Sequence, residues 1–66
     1  MIYQIDIIDP KTNEEQTVTV ELSPEQNVAA RASQDWMREV QLHARLPQGF
    51  MPIGRRVRPL PIAAIN

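Results

Sequence analysis

Residues 1–22 read MIYQIDIIDPKTNEEQTVTVEL, and their alternation decides the fold. In MIYQIDII, Met1, Tyr3, Ile5 and Ile7 point one way, and Ile2, Gln4, Asp6 and Ile8 point the other. Period two with β-branched and aromatic side chains is the pattern of a half-buried strand. QTVTVEL repeats it, with Val18, Val20 and Leu22 on one face and Thr17, Thr19 and Glu21 on the other. Between them DPKTNEE supplies turn chemistry. Asp9 suits the first turn position, Pro10 presets the backbone at the second, and Asn13 tolerates a left-handed conformation. Residues 1–22 are therefore expected to form a β-hairpin.

The next stretch, SPEQNVAARASQDWMREVQLHAR, occupies residues 23–45 and carries the signals of a helix start. Ser23 is an N-cap, Pro24 fits the first helical position, and Gln26 completes a capping box. Ala29, Ser33, Trp36, Met37, Val40 and Ala44 fall on one stripe at helical spacing. Asn27, Arg31, Gln34, Arg38, Gln41 and Arg45 lie opposite, and Arg31 and Asp35 are spaced for a weak helical ion pair. One helix is expected over 23–45, ending before Pro47. Trp36 is expected to be largely buried against Tyr3, Ile5, Val18 and Val20.

LPQGFMPIGRRVRPLPIAAIN closes the chain. Leu46-Pro47-Gln48-Gly49 and Met51-Pro52-Ile53-Gly54 share one grammar, with proline second and glycine fourth, and both fit type I turns. Residues 46–56 thus read as a turn-rich connector in which Phe50 and Met51 can plug the core. Residues 57–65 alternate loosely and read as an edge strand or extended tail. Pro59 and Pro61 are two apart, so their missing N–H groups share one edge of a strand. The N–H groups of Leu60 and Ile62 face the other edge and can still pair. A proline-guarded edge strand follows.

The order is ββαβ in a single domain over 1–66. The expected architecture is a small α+β fold with the helix on one face of a three-stranded sheet. If the first strand is central, the sheet order is 2-1-3. The hairpin followed by a helix with a capped start resembles the opening of β-grasp (ubiquitin-like) domains over residues 1–45. That resemblance implies a truncated β-grasp-like fold as the alternative.

Sixty-six residues bury little. A domain this small buries only about 60% of the surface its unfolded chain exposes. No cysteine can staple it, so oligomerisation or a partner would help its stability. The first residues have no basic leader region and include Asp6, unlike a signal peptide. No apolar run approaches the roughly 18 residues that span a bilayer. The chain is expected in the cytoplasm, with no membrane partner. A short frame of this type fits a phage or mobile element, an origin that no residue encodes.

Charge is uneven. Residues 1–30 hold Asp6, Asp9, Glu14, Glu15, Glu21 and Glu25 against Lys11, a net of −5. Residues 31–66 hold Arg31, Arg38, Arg45, Arg55, Arg56 and Arg58 against Asp35 and Glu39, a net of +4. Such a split makes an acidic and a basic face, or it pairs across the fold.

No enzymatic activity is expected. No thiol nucleophile exists, Ser23 is committed to a cap, and His43 has only Glu39 one turn before it. No catalytic, cofactor or metal site can be assembled, and no cofactor is expected. The strongest polar signal is GRRVR, residues 54–58. Its arginines Arg55, Arg56 and Arg58 can clamp phosphates or a partner's carboxylates. A pI near 5.7 and few aromatics weigh against nucleic acid. RPLP, residues 58–61, hints at polyproline II recognition, but Ala64 stands where a further proline belongs. Val28, Leu42 and Leu46 make a second apolar strip on the helix, with Phe50 close by in sequence. The expected partner surface is therefore Arg55, Arg56, Arg58, Leu42, Leu46 and Phe50. The expected function is a small protein-interaction or regulatory module that binds another protein or a second copy of itself. The alternative is a nucleic-acid-binding accessory protein using the arginine strip.

Overall fold

In the computed structural model, which describes residues 1–60, the chain runs β1 (Ile2–Asp9), β2 (Glu14–Glu21), α1 (Pro24–Arg31), α2 (Trp36–Leu42) and β3 (Met51–Pro59). The strands form one sheet in the order β2-β1-β3, and both pairings are antiparallel. β2 and β3 are therefore parallel to each other with β1 between them, and the helical segment is the crossover of a split β-α-β unit. This is the small α+β architecture read from the sequence, with the first strand central. The β-grasp likeness covers the hairpin and the helix cap, but the segment after the cap is two short helices rather than one long one.

The hairpin forms as its residues dictate. Ile2 pairs with Glu21, and the register continues without interruption to Asp9 opposite Glu14. The Asp9 carbonyl accepts the amides of Thr12 and Asn13, and Asn13 is left-handed at φ 61°. The Asp9 carboxylate accepts the Lys11 amide at 2.9 Å, closing an Asx turn. At the open end the Met1 ammonium donates to the Leu22 carbonyl at 2.9 Å, and the Leu22 amide returns a bond to Met1 at 2.8 Å.

One face of β1 makes the core. Tyr3, Ile5 and Ile7 are fully buried beside Val20, Leu22, Ala30 and Val40. Val18, Trp36, Ala44, Leu46, Phe50 and Val57 pack against this cluster from its margins. Trp36 packs against the core from its margin and keeps part of its surface exposed: its ring is tilted against Tyr3 at 6.1 Å between centroids, and Arg31 covers it.

The single helix expected over 23–45 is broken at residues 32–35. α1 begins as read, with the reciprocal Ser23–Gln26 capping box and Pro24 in the first turn. The second start was missed. Ser33 Oγ accepts the Asp35 amide, and the Asp35 carboxylate caps α2 through the Arg38 amide. Local side-chain bonds of this kind compete with a continuing helix. Length favours the break: a straight 23-residue helix spans about 34 Å, whereas an eight-residue strand spans about 27 Å. The break also resets helical phase. Ala30 is buried where Ala29 was expected, and Ala29 is exposed. Gln41, expected on the solvent side, is buried and donates Nε2 to the Gly54 carbonyl at 2.9 Å.

The connector is shorter than 46–56. Only its first half is a turn, closed by the Phe50 amide on the Pro47 carbonyl at 3.1 Å. Gly49 takes φ 91° at the third turn position, which a type II turn requires, so the turn is displaced by one residue from the type I expectation. The second half, Met51-Pro52-Ile53-Gly54, begins β3 instead of turning. Ile7 pairs with Pro52 and Ile5 with Val57, so Asp6 alone faces residues 53–56 in an enlarged bulge. Gly54 bends there at φ 51°. Beyond the bulge the proline argument holds: Tyr3 pairs with Pro59, and the Leu60 amide donates to the Ile2 carbonyl at 2.8 Å. Residues 61–65 of the expected edge strand lie outside the described residues.

Two substitutions test this packing. Ile5→Ala should cost about 2–5 kcal/mol, most of the roughly 3–10 kcal/mol a chain of this length possesses. Urea unfolding followed by Trp36 fluorescence checks it, and an unchanged midpoint would place Ile5 outside the core. Gln41→Ala should cost about 0.5–1.5 kcal/mol, because it removes the hydrogen bond to the Gly54 carbonyl. Equal stability with and without the amide would mean that the bulge is not held by α2.

Candidate functional site

The bulge decides what becomes of the arginine strip. Arg55 leaves residues 53–56 on the helix side and grips Asp35, with Nε at 3.0 and 3.1 Å and Nη2 at 2.7 Å. Arg58 lies beyond the bulge on the open sheet face, opposite Gln4. It meets the two Asp6 oxygens at 3.2 and 3.0 Å and the Gln4 amide oxygen at 3.3 Å. Arg56 is exposed and in neither pair. Three neighbours in sequence are thus three separate environments in space.

Both carboxylates are acidified by these partners. Asp6 is held below the usual aspartate range chiefly by the Arg58 hydrogen bonds, then by the Thr17 hydroxyl. Asp35 is lowered chiefly by Arg55, with the Arg38 amide adding to it against some desolvation. Asp6, Glu15, Gln16, Thr17 and Arg58 line a shallow polar hollow of about 290 Å³ on the open face.

The apolar strip is only partly assembled. Leu42 is 66% exposed and stands with Leu46 in a hollow of about 300 Å³, lined also by Arg38, Gln41, Ala44 and Pro52. Phe50 packs on the core instead. Val28 is 69% exposed on α1, beside Pro24, Glu25 and Ala29 and away from that hollow. The break between the helices parts Val28 from Leu42.

One constellation escaped the sequence reading. The buried Tyr3 hydroxyl donates to the Asn27 side-chain oxygen and accepts from Arg31 Nε at 3.1 Å. The Arg31 guanidinium lies 4.0 Å from the Trp36 ring centroid and 5.7 Å from that of Tyr3. Arg31 does not pair with Asp35: α1 ends at Arg31, so helical spacing no longer brings the two together, and Asp35 pairs with Arg55 instead. The i,i+4 spacing of Asn27 and Arg31 was the available signal, but their target on β1 is a nonlocal contact.

His43 is the exposed C-cap of α2. Among the described residues no three His, Cys, Asp or Glu side chains converge to hold a metal ion. No helix there is long and apolar enough to cross a membrane. Comparison with protein-family models, curated proteins and solved structures finds no match to this chain.

The lowered carboxylates predict acid sensitivity. Stability from a depressed pKa is complete above the unfolded aspartate value of about 3.9 and is lost as pH falls through the lower folded value. Melting temperature should therefore fall between about pH 5 and pH 2. Arg58→Gln and Arg55→Gln should each flatten that dependence, measured by circular dichroism melts. Superimposable profiles for wild type and both variants would show that the pairs do not form in solution.

Proposed function

We propose that this chain is a small non-enzymatic protein-interaction module that binds another protein or a second copy of itself. The observation that carries this reading is the Leu42 hollow. A large apolar side chain, two-thirds exposed, stands at a depression floored by Leu46 and Pro52 and rimmed by Arg38. Exposed apolar surface beside arginine is the composition of an interface core meeting its rim.

The arginine strip lends less support to nucleic acid. Arg55 and Arg58 already neutralise Asp35 and Asp6, so a phosphate would have to displace a bidentate carboxylate at each. Catalysis gains little from the same carboxylates. A carboxylate held ionised by a guanidinium is a weak base near neutral pH.

Sedimentation velocity over a concentration series, together with titration of unrelated DNA and RNA, tests the reading. Dimerisation that Leu42→Glu abolishes without altering the circular dichroism spectrum supports a second copy at this face. A wild type that stays monomeric at high concentration removes the second copy, though not a foreign protein, as the occupant of this face. Tight nucleic-acid binding overturns the proposal if its log affinity falls by about 0.9 per log salt for each phosphate and replacing Arg55, Arg56 and Arg58 by Gln removes it.

A further inference from the structure

The two outer edges of the sheet differ. β1 alternates its backbone between its neighbours. The reciprocal Met1–Leu22 bonds assign its odd residues to β2, and the Leu60–Ile2 bond assigns its even residues to β3. On β3 the residues opposite odd β1 positions therefore turn their N–H outward. Two of these are Pro52, opposite Ile7, and Pro59, opposite Tyr3. Neither has an N–H to offer. Between them the bulge at residues 53–56 bends the strand. The β3 edge is closed to further pairing by both devices.

The β2 edge has neither device. Its register with β1 is unbroken from Glu14 to Glu21, and it contains no proline. Its even residues turn to β1, so Glu15, Thr17, Thr19 and Glu21 present N–H and C=O groups outward. The side chains of these same residues stand on the open sheet face, while Val18 and Val20 turn to the core. Val18 is only half-buried, at the margin of that core. The strand carries Glu14, Glu15 and Glu21 and no basic residue, and none of these acids is in an ion pair among the described residues.

We infer that the β2 edge is a strand-addition site for an extended basic segment of another protein. The occupant follows from the edge itself. Main-chain bonds at Glu15, Thr17, Thr19 and Glu21 supply affinity, and alternate side chains supply choice. An antiparallel strand in register sets lysine or arginine opposite Glu15 and Glu21, with threonine between them on the open face. On its other side it sets β-branched apolar residues beside Val18 and Val20. A second copy brings no cation to this edge, because every charged residue of β2 is a glutamate. In the two-fold pairing centred on Val18, Glu15 meets Glu21 of the copy twice, and like charges directly opposite are destabilising. This inference rests on the protein-interaction reading and names the chemistry of the partner.

The probe is a peptide Lys-Val-Thr-Val-Thr-Val-Lys, capped at both ends, titrated into the ¹⁵N-labelled full chain. Shift changes and slowed amide exchange should centre on Glu15, Thr17, Thr19 and Glu21. N-methylation of the peptide amides that face β2 leaves the protein untouched and should weaken binding by roughly tenfold or more, since several hydrogen bonds are lost. Thr19→Pro removes an outward donor but no bond to β1, and should weaken binding similarly in a folded protein. If that variant unfolds, Glu15→Lys with Glu21→Lys should reject the lysine peptide and accept its glutamate counterpart. Absence of binding, perturbation centred on β3 or the helices, or equal affinity of the N-methylated peptide overturns the inference. A failed edge alongside an active Leu42 face would sink this inference and leave the interaction reading standing.

Discussion

Among the described residues β1 is the one strand with a neighbour on each side, and each of its residues has a double commitment. Odd residues give their backbone to β2 and their side chains to the core; even residues give their backbone to β3 and their side chains to the open face. A slip of one residue would exchange Tyr3, Ile5 and Ile7 for Gln4 and Asp6 and drive a carboxylate into the core. The register is therefore held at both ends, by the Asp9 turn and by the paired Met1 and Leu22 bonds. The crossover, the bulge and both sheet edges are built around that strand.

Polar ties then fix what the core leaves loose. Gln41 reaches from α2 to the Gly54 carbonyl, and Arg55 reaches back from the same bulge to the Asp35 cap of α2. These contacts lock the irregular part of β3 to the shorter helix. Arg31 does the same for α1, with its guanidinium bonded to the Tyr3 hydroxyl and stacked over Trp36. Its aliphatic stem and planar head shield an aromatic pair that a lysine could not cover equally well.

The charge split of the sequence resolves in both of the ways open to it. Arg58 crosses from the basic half to Asp6 in the acidic half, while Arg55 stays within its own half with Asp35. Glu14, Glu15 and Glu21 are left along the outer strand of the hairpin, and Arg56, on the opposite edge, is in no ion pair among the described residues. The molecule thus has an acidic, geometrically regular edge and a basic, irregular one. A protein so nearly neutral overall, at −1, still presents two surfaces of opposite preference.

The hairpin, its turn, the Ser23 cap and the outward Pro59 were legible in the sequence. Each is a local matter of strand parity, turn dihedrals or the first turn of a helix. The second helix start at Asp35 carried a local signal, Ser33 and Asp35 inside an apolar stripe, but propensity alone does not choose between a long helix and a broken one. The span of the sheet decided that. The burial of Gln41, the Arg31 contact with Tyr3 and the dispersal of Arg55, Arg56 and Arg58 had no local signal. Each depends on which residue of a distant element lies opposite, and that is set only when β3 docks on β1 and throws residues 53–56 into a bulge. Leu42 and Leu46 line one hollow, although Leu46 lies in the loop past the end of α2. Val28 does not join them, because the break between the helices rotates it onto another face.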